Sequence, residues 1–385
     1  MTLFHRKIKF KSPPQSDIVI FERIGSQRIK DLIFPGLPTY VFDSKLEEIF
    51  ISAKIVYYFI FYLKYVSIRG NSDFRKIGRV FIGQLWRIYL LSCIKCFKPK
   101  VVVTLIDNYP VFHWLCKHYK DAEFVAIQNG SRSKVEFREL KAPYRIGHFF
   151  CFGEYERDFY SKLGHKIDHY YPVGSILGGY YKYVTNKDSI SKYDICVVSC
   201  WRGNIGNRPD VQKTMESMRK MDLFLCRYIK EYNLKVSIIM RSEPNSPDRN
   251  IPVYGDEKEY FKNIYSDSVD LIDPDFKEHN IYRVMDESNL IVSAGSTALR
   301  EAFGWGKKVL CCDFTGTNLY NDYDPVILFS AENYDLFKTR LNEIRHMPYE
   351  EYIIKTKDYA SYLMNYNPDC PPHLLIRQKI EQYLS

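Results

Sequence analysis

The residues of this chain best suited to chemistry sit at the ends of apolar runs. In "LIVSAGSTALREAFGWGKKVLCCDF", residues 290–314, a strand-like run stops at Gly295-Ser296-Thr297, and Glu301 follows five residues after Ser296. A helix opening at Ser296 leaves its first backbone N–H groups unpaired, and Gly295 lets a ligand approach the turn closely. The Ser and Thr hydroxyls add donors. The set suits a phosphate or diphosphate, with Glu301 placed to accept from a ribose hydroxyl. A purely local role competes with this: Ser296 caps its helix and Glu301 solvates the helix surface.

Other apolar runs end in the same way. Asp107-Asn108 follow "VVVTLI", and Gln128-Asn129-Gly130-Ser131-Arg132 follow "EFVAI". Further on, Cys200-Trp201-Arg202-Gly203-Asn204 follow "DICVVS", and Arg241-Ser242-Glu243 follow "VSIIM". In open parallel sheets, ligands bind beyond the carboxyl ends of the strands. Two sets of loops would then face a shared cleft. Asp107, at the end of a buried strand, is the candidate general base of an inverting displacement, and helix capping is its competing role. Glu154 in "CFGEYERDF" is the reserve catalytic carboxylate, and Glu243 is assigned to orienting a donor. His113 and His118 are read as packing or surface residues on a helix.

Positioning these loops falls to alternating strands and helices. The runs "DIVIFE", "TYVF", "VVVTLI", "EFVAIQ" and "HFFCFG" occupy the first half, and "DICVVS", "VSIIMR", "VDLI", "NLIVSA" and "KVLCCD" the second. Helix-like stretches such as "VFHWLCKHYK" and "VQKTMESMRKMDLFLCRYIKEY" separate them. Continuous apolar strands between helices indicate α/β architecture with parallel sheets covered on both faces. The expected division is a first domain at 1–178, a linker at 179–193, a second domain at 194–348, and helices at 349–385 that return to the first domain.

The segment "VSAGSTALREAFGWGKKVL" resembles the nucleotide-binding part of GT-B glycosyltransferases, particularly bacterial enzymes that build surface carbohydrates. "VTLIDNYPVFHWLCKHYKDAEFVAIQNGSR" is similar to the amino-terminal half of such surface-polysaccharide proteins, and "CFGEYERDFYSKLGHK" followed by "YYPVGS" to their exit from the first domain. The resemblance spans roughly residues 101–313. It implies two Rossmann-like domains facing a cleft, with an activated sugar held by the second and an acceptor by the first. Carried onto this chain, Gly295, Ser296 and Thr297 meet the donor phosphates, and Glu301 the ribose or sugar. Arg202 and Arg241 neutralise the leaving nucleotide, and Trp201 packs on its base. Gln128, Asn129, Gly130 and Arg132 line the acceptor side. No metal and no cofactor are expected, since helix ends and basic side chains stabilise a diphosphate. Two departures matter. Asn129-Gly130 stands where related phosphosugar transferases carry His-Gly, and "MRSEP" stands where cytidine-monophosphate-sugar enzymes carry His-Pro. A nucleoside diphosphate sugar is therefore the expected donor.

Three readings of function follow. The first is transfer of a sugar to a growing surface polysaccharide or lipid-linked glycan. Its alternatives are a sugar-nucleotide epimerase or hydrolase, whose carboxylate set does not map here, and a non-catalytic nucleotide-sugar-binding scaffold.

Composition sets the bounds. At 385 residues, the length favours two domains. A net charge of +9 without a run of basic residues does not point to nucleic acid as a partner. The ten cysteines are scattered, and many lie in apolar runs (Cys151, Cys196, Cys200, Cys311, Cys312), which points to reduced thiols and a cytoplasmic protein rather than a disulfide scaffold. Cys93 and Cys96 read as helix packing. Residues 54–100 hold ten Lys or Arg against one acid, Asp73, beside the apolar "IFISAKIVYYFIFYLKYVSI". Lys54 and Lys64 argue against that stretch as a span. It is either a buried helix with a solvated basic face or a surface for anionic lipid, which would make the protein peripheral at the inner face of the membrane.

Overall fold

The computed structural model describes residues 7–45, 48–66, 74–132, 144–185, 190–203, 209–241, 254–275, 279–317 and 326–384. All ten strand-like runs are strands. In the first half they are β2 (Ile18–Phe21), β3 (Tyr40–Phe42), β5 (Val101–Thr104), β6 (Glu123–Ile127) and β7 (Arg145–Cys151). A seventh-residue-long edge strand, β8 (Lys166–Pro172), completes a six-stranded parallel sheet in the order β3-β2-β5-β6-β7-β8. Two short strands, β1 (Lys7–Lys9) and β4 (Glu48–Phe50), pair in parallel outside it.

The second sheet also has six parallel strands. They are β9 (Tyr193–Val198), β10 (Val236–Ile239), β11 (Asp270–Ile272), β12 (Ser288–Ser293), β13 (Lys308–Cys312) and β14 (Leu328–Phe329), in the order β11-β10-β9-β12-β13-β14. Renumbered from its first strand, this is the 3-2-1-4-5-6 order of a doubly wound sheet, so the chain reverses its direction of travel between β9 and β12. The first sheet reverses between β2 and β5. The crevice at each reversal is where such sheets bind ligands.

The β-branched strand residues explain both sheets. Ile195, Val197, Ile238, Ile291, Val292, Val309 and Leu310 are all fully buried, as are Val19, Ile20, Val102, Val103 and Val125. Burying each such side chain is worth about 1.5–3 kcal/mol relative to exposure, and helices on both faces of the sheets supply the cover.

The expected linker at 179–193 begins inside a helix, Ile176–Thr185, whose Gly178, Gly179 and Tyr181 are buried. Packing against Trp305 and Pro372, close to Gly178 and Gly179, accounts for the helix where the glycines suggested a break. At the far end of the chain, the Tyr349–Leu363 helix gives way to Asn365, whose N–H donates to the Phe152 carbonyl at 2.7 Å. The Asn365 amide also donates to the Pro172 carbonyl at 2.6 Å. Glycine is required at position 174, where φ is 89° and a Cβ would collide with the Asn365 carbonyl. The closing helix, Pro372–Leu384, packs Ile376 and Ile380 into a cluster with Ile18, Val101 and Val103.

Of residues 49–68, the described part, 49–66, does not form one long helix. Strand β4 is followed by a ten-residue helix, Ala53–Tyr62, and a turn of 3₁₀ helix at Leu63–Tyr65. Ser52 explains the break, since its Oγ accepts from the Ile55 N–H and caps the helix there. Among the described residues, the helix long and apolar enough to cross a membrane is instead Val80–Phe97, of which 44% is buried. Its Ile88, Leu91, Ile94 and Phe97 are core residues. Cys93 and Cys96 are buried in the same helix, and all ten cysteines are free.

Candidate functional site

The carboxyl ends of β10, β9 and β12 lie side by side and carry Arg241, Trp201-Arg202 and Gly295-Ser296-Thr297 respectively. Arg241 Nη1 donates to the Trp201 carbonyl at 2.8 Å, and its own N–H donates to Glu257 Oε1 at 2.9 Å. Loss of solvent and, after it, the neighbouring Arg202 charge together lower the Arg241 pKa to about 10, opposed by Cys200 and Glu257. Two guanidinium groups are thus held close together on adjacent strand ends, and neither forms an ion pair with a carboxylate among the described residues. Such a pair favours an anion between them. Trp201 packs its ring against Tyr260 at 4.9 Å, forming part of the wall. Glu243 lies outside the described residues.

The turn after β12 is shaped as its residue types require. Gly295 has φ of 124°, a conformation side chains other than glycine's rarely adopt. Ser296 caps the Thr297–Gly304 helix by accepting from the Ala298 N–H at 3.3 Å, so the local role expected of it is real. Thr297 Oγ1 accepts from the Ser131 N–H at 2.9 Å, and that donor belongs to the loop after β6. Both hydroxyls keep their own proton for donation to a ligand. The helix N-terminus adds its partial positive charge at the same place.

Glu301 is buried rather than solvating the surface. Its Oε1 accepts from Ser175 Oγ and, at 3.3 Å, from Tyr282 Oη. Burial raises its pKa to about 7, opposed by those two hydrogen bonds and by the charges of Arg28 and Arg300. Arg28 comes from the Ser26–Leu32 helix that follows β2, so the first half of the chain contributes charge to this carboxylate.

On the facing side, the loop after β6 is held from within. Gln128 Nε2 donates to the Gly130 carbonyl at 3.0 Å and to Glu156 Oε1 at 3.1 Å, while its Oε1 accepts from the Phe152 N–H at 2.9 Å. Gln128 is therefore a staple of the loop and is 3% exposed, rather than a group offered to an acceptor. Asn129 Oδ1 accepts from Arg132 at 2.6 Å. Gly130 sits where a Cβ would be 3.6 Å from Thr297 Oγ1, against the turn after β12.

Asp107 departs from the expectation of a base. Its Oδ1 takes Arg132 Nη2, and its Oδ2 takes Arg132 Nε at 3.0 Å and Tyr160 Oη at 2.8 Å. The side chain is fully buried. With both oxygens occupied, its evident work is to position Arg132, whose side chain is 10% exposed at the cleft loop. His113 reinforces this, with Nε2 2.6 Å from the Asp107 carbonyl. Glu154 opens the Glu154–Lys162 helix, is 40% exposed, and pairs with Arg157 at 2.8 Å.

Two residues of the site carry no sequence signal. Arg300 donates to Glu156 Oε1 at 2.9 Å and to the Leu363 carbonyl, with both side chains almost wholly buried. Its guanidinium lies 5.3 Å from the Tyr155 ring and 5.5 Å from the Phe152 ring. This one arginine ties the second-sheet helix, the first-sheet helix and the returning chain together. Its helical neighbours Leu299 and Ala302 are buried, but nothing in "ALREAF" marks the arginine as buried too.

No family model matches the chain, and no curated protein matches it. Solved structures do. The chain is similar to a UDP-GlcNAc 2-epimerase from Neisseria meningitidis bound to UDP-GlcNAc, at 14% identity and TM-score 0.50, covering 95% of this chain and 99% of that one. A putative UDP-N-acetylglucosamine 2-epimerase from Listeria monocytogenes matches at 12% identity and TM-score 0.51, with 97% of each chain covered. A Methanocaldococcus jannaschii UDP-GlcNAc 2-epimerase in complex with UDP-GlcNAc and UDP matches at 10% identity and TM-score 0.51, covering 94% and 99%. At such identities the likeness is one of fold: two Rossmann-like domains in the GT-B-like arrangement.

Proposed function

We propose that the chain is an enzyme acting on a nucleoside diphosphate sugar, held by the ends of β10, β9 and β12. The observation that carries this is the Arg202–Arg241 pair beside the Gly295-Ser296-Thr297 turn. Two cations that form no ion pair among the described residues, with a helix N-terminus, fit a diphosphate, and the buried Glu301, one and a half turns into the helix, fits a sugar or ribose hydroxyl. The fold neighbours support the ligand class, since two of them are described with UDP-GlcNAc bound.

The reaction we propose is transfer of the sugar to a glycan or lipid-linked acceptor lying against the loop after β6. Breaking the bond from the sugar to the diphosphate needs charge stabilisation at the leaving group, which the arginines and the helix end supply. Inverting a carbon next to the anomeric centre needs more: a proton must leave one face and return on the other. Among the described residues, the carboxylates nearest the loop are Asp107 and Glu156, each engaged with an arginine, and position 128 is an amide.

The second reading is 2-epimerisation of a UDP-sugar, favoured by the activity named for all three fold neighbours. Incubation with UDP-GlcNAc in deuterium oxide separates the two. Transfer predicts no deuterium at C2 and acceptor-dependent release of UDP. Deuterium at C2 without any acceptor would replace transfer by epimerisation.

A further inference from the structure

The Ala53–Tyr62 helix turns an apolar face outward. Ile55 and Tyr62 are buried, with Tyr58 and Phe59 packed against the same core, so the inward side is satisfied. Yet the outward side holds Val56 at 50% exposure, Tyr57 at 65%, Ile60 at 62% and Phe61 at 50%. Positions 56, 57, 60 and 61 fall on one stripe of a helix. A surface helix ordinarily places polar residues there. The adjoining Phe74–Phe97 helix, packed against it, exposes Val80 at 45% and Ile82 at 68%. Contiguous apolar exposure of this kind marks a surface that meets something other than water.

Charge selects what it meets. Among the described residues of this helix and the turn after it, Lys54 and Lys64 are exposed and there is no acid. Lys64 lies beside the stripe, with Nζ 4.0 Å over the Phe61 ring. The ammonium itself sits on the aromatic face, so charge and apolar surface lie side by side at this edge of the stripe. A second copy of the chain would bring a like-charged surface against this one, which is unfavourable. Anionic headgroups meet both needs at once, with aromatic and aliphatic side chains settling below them.

We infer that the outward face of the Ala53–Tyr62 helix and the start of the next helix form a docking surface for an anionic lipid bilayer, on which the protein lies without crossing it. This stands independently of the reaction performed in the cleft. It places the first domain against the membrane, the side on which a lipid-linked acceptor would arrive.

The test is cosedimentation of the full chain with phosphatidylcholine vesicles, with and without phosphatidylglycerol, at low and raised salt. Binding is expected to the mixed vesicles only, and to fall by at least roughly tenfold in partition coefficient as salt screens the surface. Ile60→Glu with Phe61→Glu should abolish it. Lys54→Glu with Lys64→Glu should weaken it severalfold, and circular dichroism should show both variants folded. Equal binding to neutral vesicles would overturn the choice of an anionic partner. Absence of vesicle binding would overturn the proposal altogether. If light scattering then showed a dimer that Ile60→Glu with Phe61→Glu dissociates, the face would belong to a second copy.

Discussion

Arg300 and Glu156, 144 residues apart in the chain, form an ion pair of 2.9 Å with both side chains out of solvent. One lies on the helix after β12 and the other on the helix after β7, so the pair spans the two halves beneath the cleft. Its neighbours include Gln128 and Ser131 in the loop that touches Thr297. The relative placement of the two binding surfaces therefore depends on a buried charge pair.

Removing one partner leaves the other charged and buried. Arg300→Met is expected to cost about 3–5 kcal/mol in stability, measured by urea unfolding. Adding Glu156→Gln, which removes the orphaned charge and keeps one acceptor, for either the Gln128 or the Gly153 N–H, should restore part of the loss. A single variant as stable as the wild type would show that the pair does not join the halves.

Arg241 should behave in the opposite sense. Loss of solvent and the nearby Arg202 disfavour its charge more than Glu257 and Cys200 favour it. Arg241→Met is thus expected to leave the melting temperature of the unliganded protein unchanged or raised. The same variant should weaken nucleoside diphosphate binding by roughly 1.5–3 kcal/mol, the scale of a charge-assisted hydrogen bond. A fall in melting temperature with unaltered affinity would make it a structural residue.

Glu301 predicts a pH dependence with a definite sign. Its pKa rises from 4.5 to about 7 on folding, chiefly through burial. Between those values the folded chain holds a proton that the unfolded chain has lost, so this residue's contribution to stability falls as pH rises from 4.5 to about 7. Glu301→Gln removes the effect. Its stability relative to the wild type should climb across that window by up to about 3 kcal/mol, then level off. Asp222 and Glu22 are also raised to about 7, so only the difference between variant and wild type isolates Glu301. A difference constant with pH would contradict the assignment.

Legibility of the fold from sequence followed burial. Runs such as "NLIVSA" and "VVVTLI" mark central strands because they are mostly apolar without alternation, as strands covered on both faces are. Strand β8, "KIDHYYP", escaped notice because an edge strand is only partly buried and admits Lys, Asp and His. Strands β1 and β4, "KIK" and "EIF", carry charged residues and pair only with each other outside the main sheet, so no apolar run marks them. Within the site, strand ends pointed to Arg202, Arg241 and the Gly295–Thr297 turn. What a single sequence hides is the partner across space. Asp107 looked free until Arg132 and Tyr160 closed on it. Ser175, Tyr282 and Arg28 meet Glu301 from sequence positions no local motif connects.

The central claim is that the ends of β10, β9 and β12 hold a nucleoside diphosphate. Isothermal titration calorimetry with UDP, GDP, ADP, CDP and TDP tests it most directly, on the wild type, on Arg202→Ala with Arg241→Ala, and on Ser296→Ala with Thr297→Ala. At least one diphosphate should bind the wild type, more tightly than its monophosphate. The arginine variant should lose roughly 3 kcal/mol or more of that affinity, and the Ser/Thr variant a smaller share while remaining folded. Failure of every diphosphate to bind, or equal affinity in the arginine variant, would contradict the account.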